Sequence, residues 1–166
     1  MMSLLMLAAA LQSSPDLGKA EGQCRANEAG PAFLVDVTGL KDRKGLLKLE
    51  LYPANDKDFL ADDNVLLNAG KPFRRVEMNV PQSGSVQMCV RAPGPGTYSL
   101  SLLHDRDSNR KMGLSVDGIG FPTNPKLCWG QPKSGDARAT VGNGPTRVAV
   151  TMQYRRNLVC FGPVQK

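Results

Sequence analysis

The chain predicts an all-β protein, an antiparallel sandwich of about seven strands. Two observations carry that prediction. Short stretches alternate apolar and polar residues with period two, and turn signals separate them at intervals of about ten residues. The 17 Gly and 12 Pro among 166 residues also favour a turn-rich β fold over a helical bundle. This length suits one domain with a real core.

The elements follow in order. "PAFLVDV" reads as the first strand and ends at Thr38-Gly39. "GLKDRKG" then reads as a hairpin turn into "LLKLELY". That strand sends Leu47, Leu49 and Leu51 to one face and Lys48, Glu50 and Tyr52 to the other. Residues 53–72 are an irregular connection, with one helical turn near Phe59. "FRRVEMNV" places Val76, Met78 and Val80 inside, and "SVQMCVR" places Val86, Met88 and Val90 inside, joined by the turn "PQSG". After the turn "APGPG", "TYSLSLLH" turns Tyr98, Leu100 and Leu102 inward. A Gly/Pro-rich stretch follows, and "ARATV" and "TRVAVTMQY" form a closing hairpin through "GNGP".

The amino terminus sets the expected compartment. Leu4 to Leu11 is an apolar run too short to span a bilayer, and Ala8-Ala9-Ala10 fits the small-residue rule for signal cleavage. No Lys or Arg precedes the run. Residues 1–22 are read as a signal peptide, cleaved near residue 10, with a flexible leader, and residues 23–166 as the domain. "AEGQC" lacks the pattern of a lipoprotein signal. The expected location is the periplasm or the exterior.

Export changes the reading of the four cysteines. Cys24, Cys89, Cys128 and Cys160 have no C-x-x-C spacing, and His104 is the lone histidine, which argues against zinc. Two disulfides are expected in an oxidising compartment. Cys89 is out of phase with its inward neighbours, so a long loop carrying Cys128 can be stapled onto it. Cys24 precedes the first strand and Cys160 follows the last; antiparallel neighbours would bring them together. The expected pairs are Cys24–Cys160 and Cys89–Cys128.

A net charge of +6 favours anionic neighbours, with an anionic component of the envelope as a possible partner. The bases are scattered and aromatics make up only 5%, so no nucleic-acid footprint is visible and none is expected to bind. No later segment reads as a membrane helix.

Four stretches, "VTGLKDRKGLLKLELY", "PGPGTYSLSLLHDRDSNRKMG", "GIGFPTNP" and "GQPKSGDARATV", together resemble the bacterial family catalogued as domain of unknown function 2141. The resemblance covers roughly residues 32–154. It implies an exported protein with an immunoglobulin-like or transthyretin-like sandwich and no assigned catalytic mechanism. The family pattern after the His-Asp pair has a glycine where Arg110 stands and an aspartate where Gly113 stands. The cysteines look like additions of a subgroup.

The loop after the strand of residues 97–104 offers Asp105, Asp107 and Asn109 at alternate positions, a spacing that supplies oxygens to a hard cation such as calcium. It lacks glycine at the sixth loop position and glutamate at the twelfth, where Arg110 and Val116 stand. A polar turn whose Asp and Asn side chains cap backbone amides is the preferred reading, and no cofactor is expected beyond that calcium option. His104 continues the inward phase of its strand and is expected to hydrogen-bond a loop carbonyl. Tyr98 after "PGPGT" reads as a corner tyrosine. Trp129, the lone tryptophan, is either a cover for one core edge or a ligand platform, for example for a sugar ring. With no Gly-x-Ser-x-Gly elbow or second histidine, the chain is read as a non-enzymatic binding or structural module of the envelope. The alternatives are a carbohydrate- or calcium-binding module using loop 105–109 and Trp129, and a hydrolase using His104 with Asp105 or Asp107.

Overall fold

The computed structural model describes residues 15–165. The cleavage region lies outside the described residues. Among the described residues, ten strands form two packed sheets, a sandwich of the expected all-β class. Sheet A has the order β4 (Val86–Arg91), β1 (Ala32–Thr38), β8 (Pro145–Thr151). Sheet B has the order β10 (Phe161–Gly162), β9 (Gln153–Arg155), β6 (Gly118–Gly120), β5 (Gly96–Asp105), β2 (Leu46–Pro53), β3 (Arg74–Asn79). β7 (Arg138–Val141) pairs with the first half of β5, alongside Gly96–Ser99. The pairs are antiparallel except β1 with β8, which run parallel.

The alternating strands bury the side chains that their phase assigns. Phe33, Val35, Leu47, Leu49, Leu51, Met88, Leu100 and Leu102 fill the space between the sheets. The turns behave differently from the sequence reading. β1 is in sheet A and β2 in sheet B, so "GLKDRKG" crosses between sheets and makes no hairpin. "GNGP" does the same between β7 and β8. Period-two alternation says which face is apolar, not which sheet the strand joins. "TRVAVTMQY" is also not one strand. The chain leaves sheet A after Thr151 and enters sheet B at Gln153, while Met152 N–H donates to Thr38 C=O across 2.9 Å.

A second apolar layer covers the outer face of sheet B. Tyr52, Phe59, Leu66, Phe73, Phe121 and Ala137 are buried there. Their rings meet edge to face, Tyr52 with Phe59 at 5.6 Å and with Phe73 at 5.3 Å, and Phe59 with Phe121 at 6.1 Å. The 53–72 connection supplies Phe59 and Leu66 of this layer. Its helix α2 (Asp63–Asn68) is capped by Asp62, whose carboxylate accepts from Asn64 N–H. Residues 15–22, placed with the leader from the sequence alone, pack on β3. The short helix α1 (Lys19–Gly22) pairs Lys19 Nζ with Glu77 at 2.9 Å, and Arg75 N–H donates to Gly18 C=O.

The disulfide pairing differs from expectation. Cys24 is joined to Cys89 and Cys128 to Cys160. The reason is the parallel β1–β8 pair: the chain leaves β8 at the end opposite to the one where Cys24 approaches β1. Cys24 instead lies along the free edge of β4, where the bridge between Gln23 and Val90 sets it beside Cys89. Cys89 is on sheet A and Cys160 runs into β10 of sheet B, so the two pairs belong to different sheets.

Candidate functional site

Strand alternation and register place a row of side chains on the outer face of sheet B. Lys48 of β2 lies opposite Leu103 of β5, and Leu103 opposite Ile119 of β6. Glu50 lies opposite Ser101, and Arg155 of β9 opposite Phe161 of β10. These residues form the floor of a cleft of about 590 Å³. Phe121 and Leu60 close one side, and Met112 and Leu114 come from the loop after β5. Trp129 and Leu158 stand at the rim, 81% and 87% exposed, with Leu114 at 60%. Apolar groups this exposed around a concavity mark an interaction site more often than an isolated surface leucine does.

The rim is held by a two-stranded ribbon. Cys128 and Cys160 face each other in an antiparallel bridge and are joined by their disulfide. Trp129 N–H donates to Val159 C=O at 3.0 Å, and Phe161 N–H to Leu127 C=O at 2.8 Å. Trp129 has φ +57° and Gly130 φ +104°, so the chain turns sharply there and directs the indole outward. Trp129 thus borders the cleft and does not cover a core edge.

The polar end of the floor is a buried charge network. Glu50 Oε1 accepts from Arg75 Nε at 2.9 Å and lies 3.4 Å from Lys48 Nζ, and Glu50 Oε2 accepts the Tyr52 O–H at 2.7 Å. Arg75 Nη2 also donates to Asp63 at 3.0 Å. Burial, then the adjacent Glu50 carboxylate, pushes the Tyr52 hydroxyl well above its ordinary range, so it stays a donor.

The loop after β5 is a brace. Asp105 Oδ1 accepts from Asn109 N–H and Oδ2 from Arg110 N–H at 2.7 Å. Asp107 accepts from the Asn109 backbone and side chain, and Asn109 Oδ1 from Lys111 N–H. Asp117, next to Val116, accepts from Arg106 N–H at 2.9 Å and Gly113 N–H at 2.7 Å. The carboxylates of Asp105, Asp107 and Asp117 lie within 4.8 Å of one another, while Asn109 faces Asp107. Burial, with the Asp107 and Asp117 carboxylates, raises Asp105 above the usual carboxylate range, against the pull of its two backbone donors.

Arg110 holds φ +65° at the position where the family pattern has glycine. An L side chain is strained there, and the ion pair of Arg110 with Glu77, at 3.5 Å and half exposed, offsets little. Arg110→Gly is expected to stabilise the fold by about 0.5–1 kcal/mol, read as a higher urea midpoint. An unchanged or lower midpoint would show that the loop carries no such strain.

His104 is fully buried at the end of β5. Its Nε2–H donates to Lys44 C=O at 2.8 Å, and its Nδ1 accepts the Tyr154 O–H at 2.6 Å. Tyr154 in turn accepts from Lys41 N–H, and burial pushes its phenol up to about 12. Tyr98 O–H donates to Gly94 C=O at 3.0 Å, four residues upstream, in a corner arrangement.

Burial holds His104 below its ordinary value of 6.5. The unfolded chain then binds the proton more readily, so stability is complete above pH 6.5 and is lost as pH falls below it. The slope is at most about 1.4 kcal/mol per pH unit. Urea midpoints are expected to fall between pH 6.5 and 5, and the fall is expected to vanish in His104→Gln. A flat profile in the native protein would contradict the neutral, doubly engaged ring.

A family profile described as "Uncharacterized protein conserved in bacteria (DUF2141)" matches residues 35–149. The chain belongs to that bacterial family. The matched stretch runs from β1 into β8 and so includes β2, β5, β6 and Trp129 of the cleft. Arg155, Leu158, Phe161 and Cys160, which complete it in this DUF2141 protein, lie beyond the match. No curated protein and no solved structure matches the chain.

The sequence reading singled out Trp129 but missed Leu103, Ile119, Leu158 and Arg155. The available signal was a set of large apolar residues, Leu114, Trp129 and Leu158, inside Gly/Pro-rich or polar stretches where no strand phase demands them.

Proposed function

We propose that this DUF2141 protein is an exported, non-catalytic binding module of the bacterial envelope, and that the cleft on sheet B is its recognition site. The observation that carries the reading is the ring of exposed apolar side chains, Trp129, Leu158 and Leu114, around a concavity of about 590 Å³. Export is supported by the apolar amino-terminal run and by two disulfides, which persist in oxidising compartments. No helix among the described residues is long and apolar enough to cross a membrane. A non-catalytic role is supported by His104, whose two ring nitrogens are both engaged inside the core and away from the cleft. A saccharide stacked on Trp129 is a second reading, favoured by the 81% exposure of its indole.

The test uses Nile red, an uncharged apolar dye. Its emission is expected to rise and shift to the blue with the native protein. The rise is expected to disappear in Ser101→Trp, which fills the floor from a half-buried position on β5. Dye uptake that survives Ser101→Trp in a folded variant would contradict the assignment of the site. A Trp129 emission change with oligosaccharides but none with apolar compounds would select the second reading.

A further inference from the structure

We infer that the cleft takes a single-chain amphiphile with an anionic head, a fatty-acid-like molecule, held by Arg155 at its head and by the Leu103–Ile119 floor along its chain. This rests on the cleft being the recognition site.

The floor has the right shape for one extended chain. β2, β5, β6 and β9 lie side by side, so three strand spacings of about 4.8 Å make it about 14 Å long from the β2 end to the β9 end. Leu103 and Ile119, cross-strand neighbours, form an apolar track between the two polar ends. Phe121 and Trp129 wall it. A single apolar track of Leu103 and Ile119 between polar ends suits one extended chain.

The charges at the two ends differ in kind. At the β2 end, Glu50 lies between Lys48 and Arg75, and Asp63 holds the other side of Arg75, so that end is closed on itself. At the β9 end, Arg155 is exposed and has no carboxylate within ion-pair distance among the described residues. Its Nε donates to Asn157 C=O and its Nη1 to Ser115 Oγ, each at 3.0 Å. Two of its five N–H donors are therefore used to fix the guanidinium, and three remain for an anion. The net charge of +6 favours the approach of the same kind of ligand.

The experiment titrates the native protein with octanoate, decanoate and dodecanoate below their micellar concentrations, following Trp129 emission and heat. Each added methylene is expected to tighten binding about fourfold along the carboxylate series until the floor is filled. Decanol and decyltrimethylammonium are expected to bind about fivefold more weakly than decanoate, and Arg155→Gln is expected to erase that difference. Because Arg155 is exposed, this variant is expected to fold, which its far-UV spectrum checks. Equal binding of all three head groups to the native protein, with Nile red still taken up, would overturn the anionic assignment and leave the cleft reading standing. Absence of binding by every chain and by Nile red would sink both. Association with phosphatidylglycerol vesicles without binding of monomeric decanoate would overturn the proposal in favour of a membrane surface.

Discussion

Arg75→Met is expected to lower the stability of the fold by about 3–5 kcal/mol, the range for removing one partner of a buried ion network. Arg75 is 7% exposed and lies between Glu50 and Asp63, themselves 7% and 4% exposed. Methionine keeps the apolar bulk against Phe73, over whose ring the guanidinium sits at 5.1 Å, but leaves two buried carboxylates facing each other's field. The cost is therefore the lost counter-charge, of which Lys48 supplies only a part at Glu50, and not lost packing. Arg75→Met combined with Glu50→Gln is expected to recover part of the loss, because the amide needs no counter-ion and can still accept from Tyr52. Urea unfolding of the two variants measures this. A loss below about 1 kcal/mol in the single variant would show that water or a nearby cation already serves Glu50 and Asp63.

The two disulfides are expected to be equal in stability and unequal in function. They close 65-residue and 32-residue separations, for which the chain-entropy relation gives about 4 kcal/mol each. Cys24→Ser with Cys89→Ser removes the staple on the edge of sheet A, far from the cleft, so dye uptake is expected to persist in whatever fraction remains folded. Cys128→Ser with Cys160→Ser loosens the ribbon that carries Trp129 and Leu158, leaving two hydrogen bonds between its strands, Trp129 N–H to Val159 C=O and Phe161 N–H to Leu127 C=O. Nile red uptake is expected to fall at least tenfold while the sandwich stays folded at low temperature. Both double variants are compared by thermal unfolding and by dye titration. Loss of uptake in the Cys24/Cys89 variant alone would show that the cleft depends on sheet A and not on the ribbon.

The same ribbon marks where sequence reasoning stopped. Leu47, Leu49 and Leu51 announce a strand and its buried face because side-chain direction alternates strictly along an extended chain. Nothing local distinguishes a turn that folds a strand back on its own sheet from one that crosses to the other, so "GLKDRKG" and "GNGP" read as hairpins. The parallel β1–β8 pair is a consequence of those crossings, and the disulfide expectation failed with it.

The outer face of sheet B was hidden for a different reason. Tyr52 and Phe73 lie on strand faces or ends that the alternation assigns to solvent, and only the 53–72 connection and the 121–137 segment folding over them make that face a core. Short strands such as β6 carry too few residues to show a period. Gly118 and Gly120 there serve close packing: a Cβ on Gly118 would lie 2.4 Å from the Tyr154 ring, and one on Gly120 2.5 Å from Val150. The Asp105–Asn109 loop was legible as residue types and spacing. Its use of Asp117 as the second brace needed the three-dimensional return of the chain at β6.

We propose the outward face of sheet B, not the acidic loop, as the place where this protein meets its ligand. Amide chemical-shift mapping with decanoate distinguishes the two surfaces. Shifts are expected at Leu103, Ile119, Phe121, the Trp129 indole, Arg155 and Leu158, with Asp105, Asp107 and Asn109 unmoved. Shifts centred on the 105–109 loop or on the outer face of sheet A would contradict it.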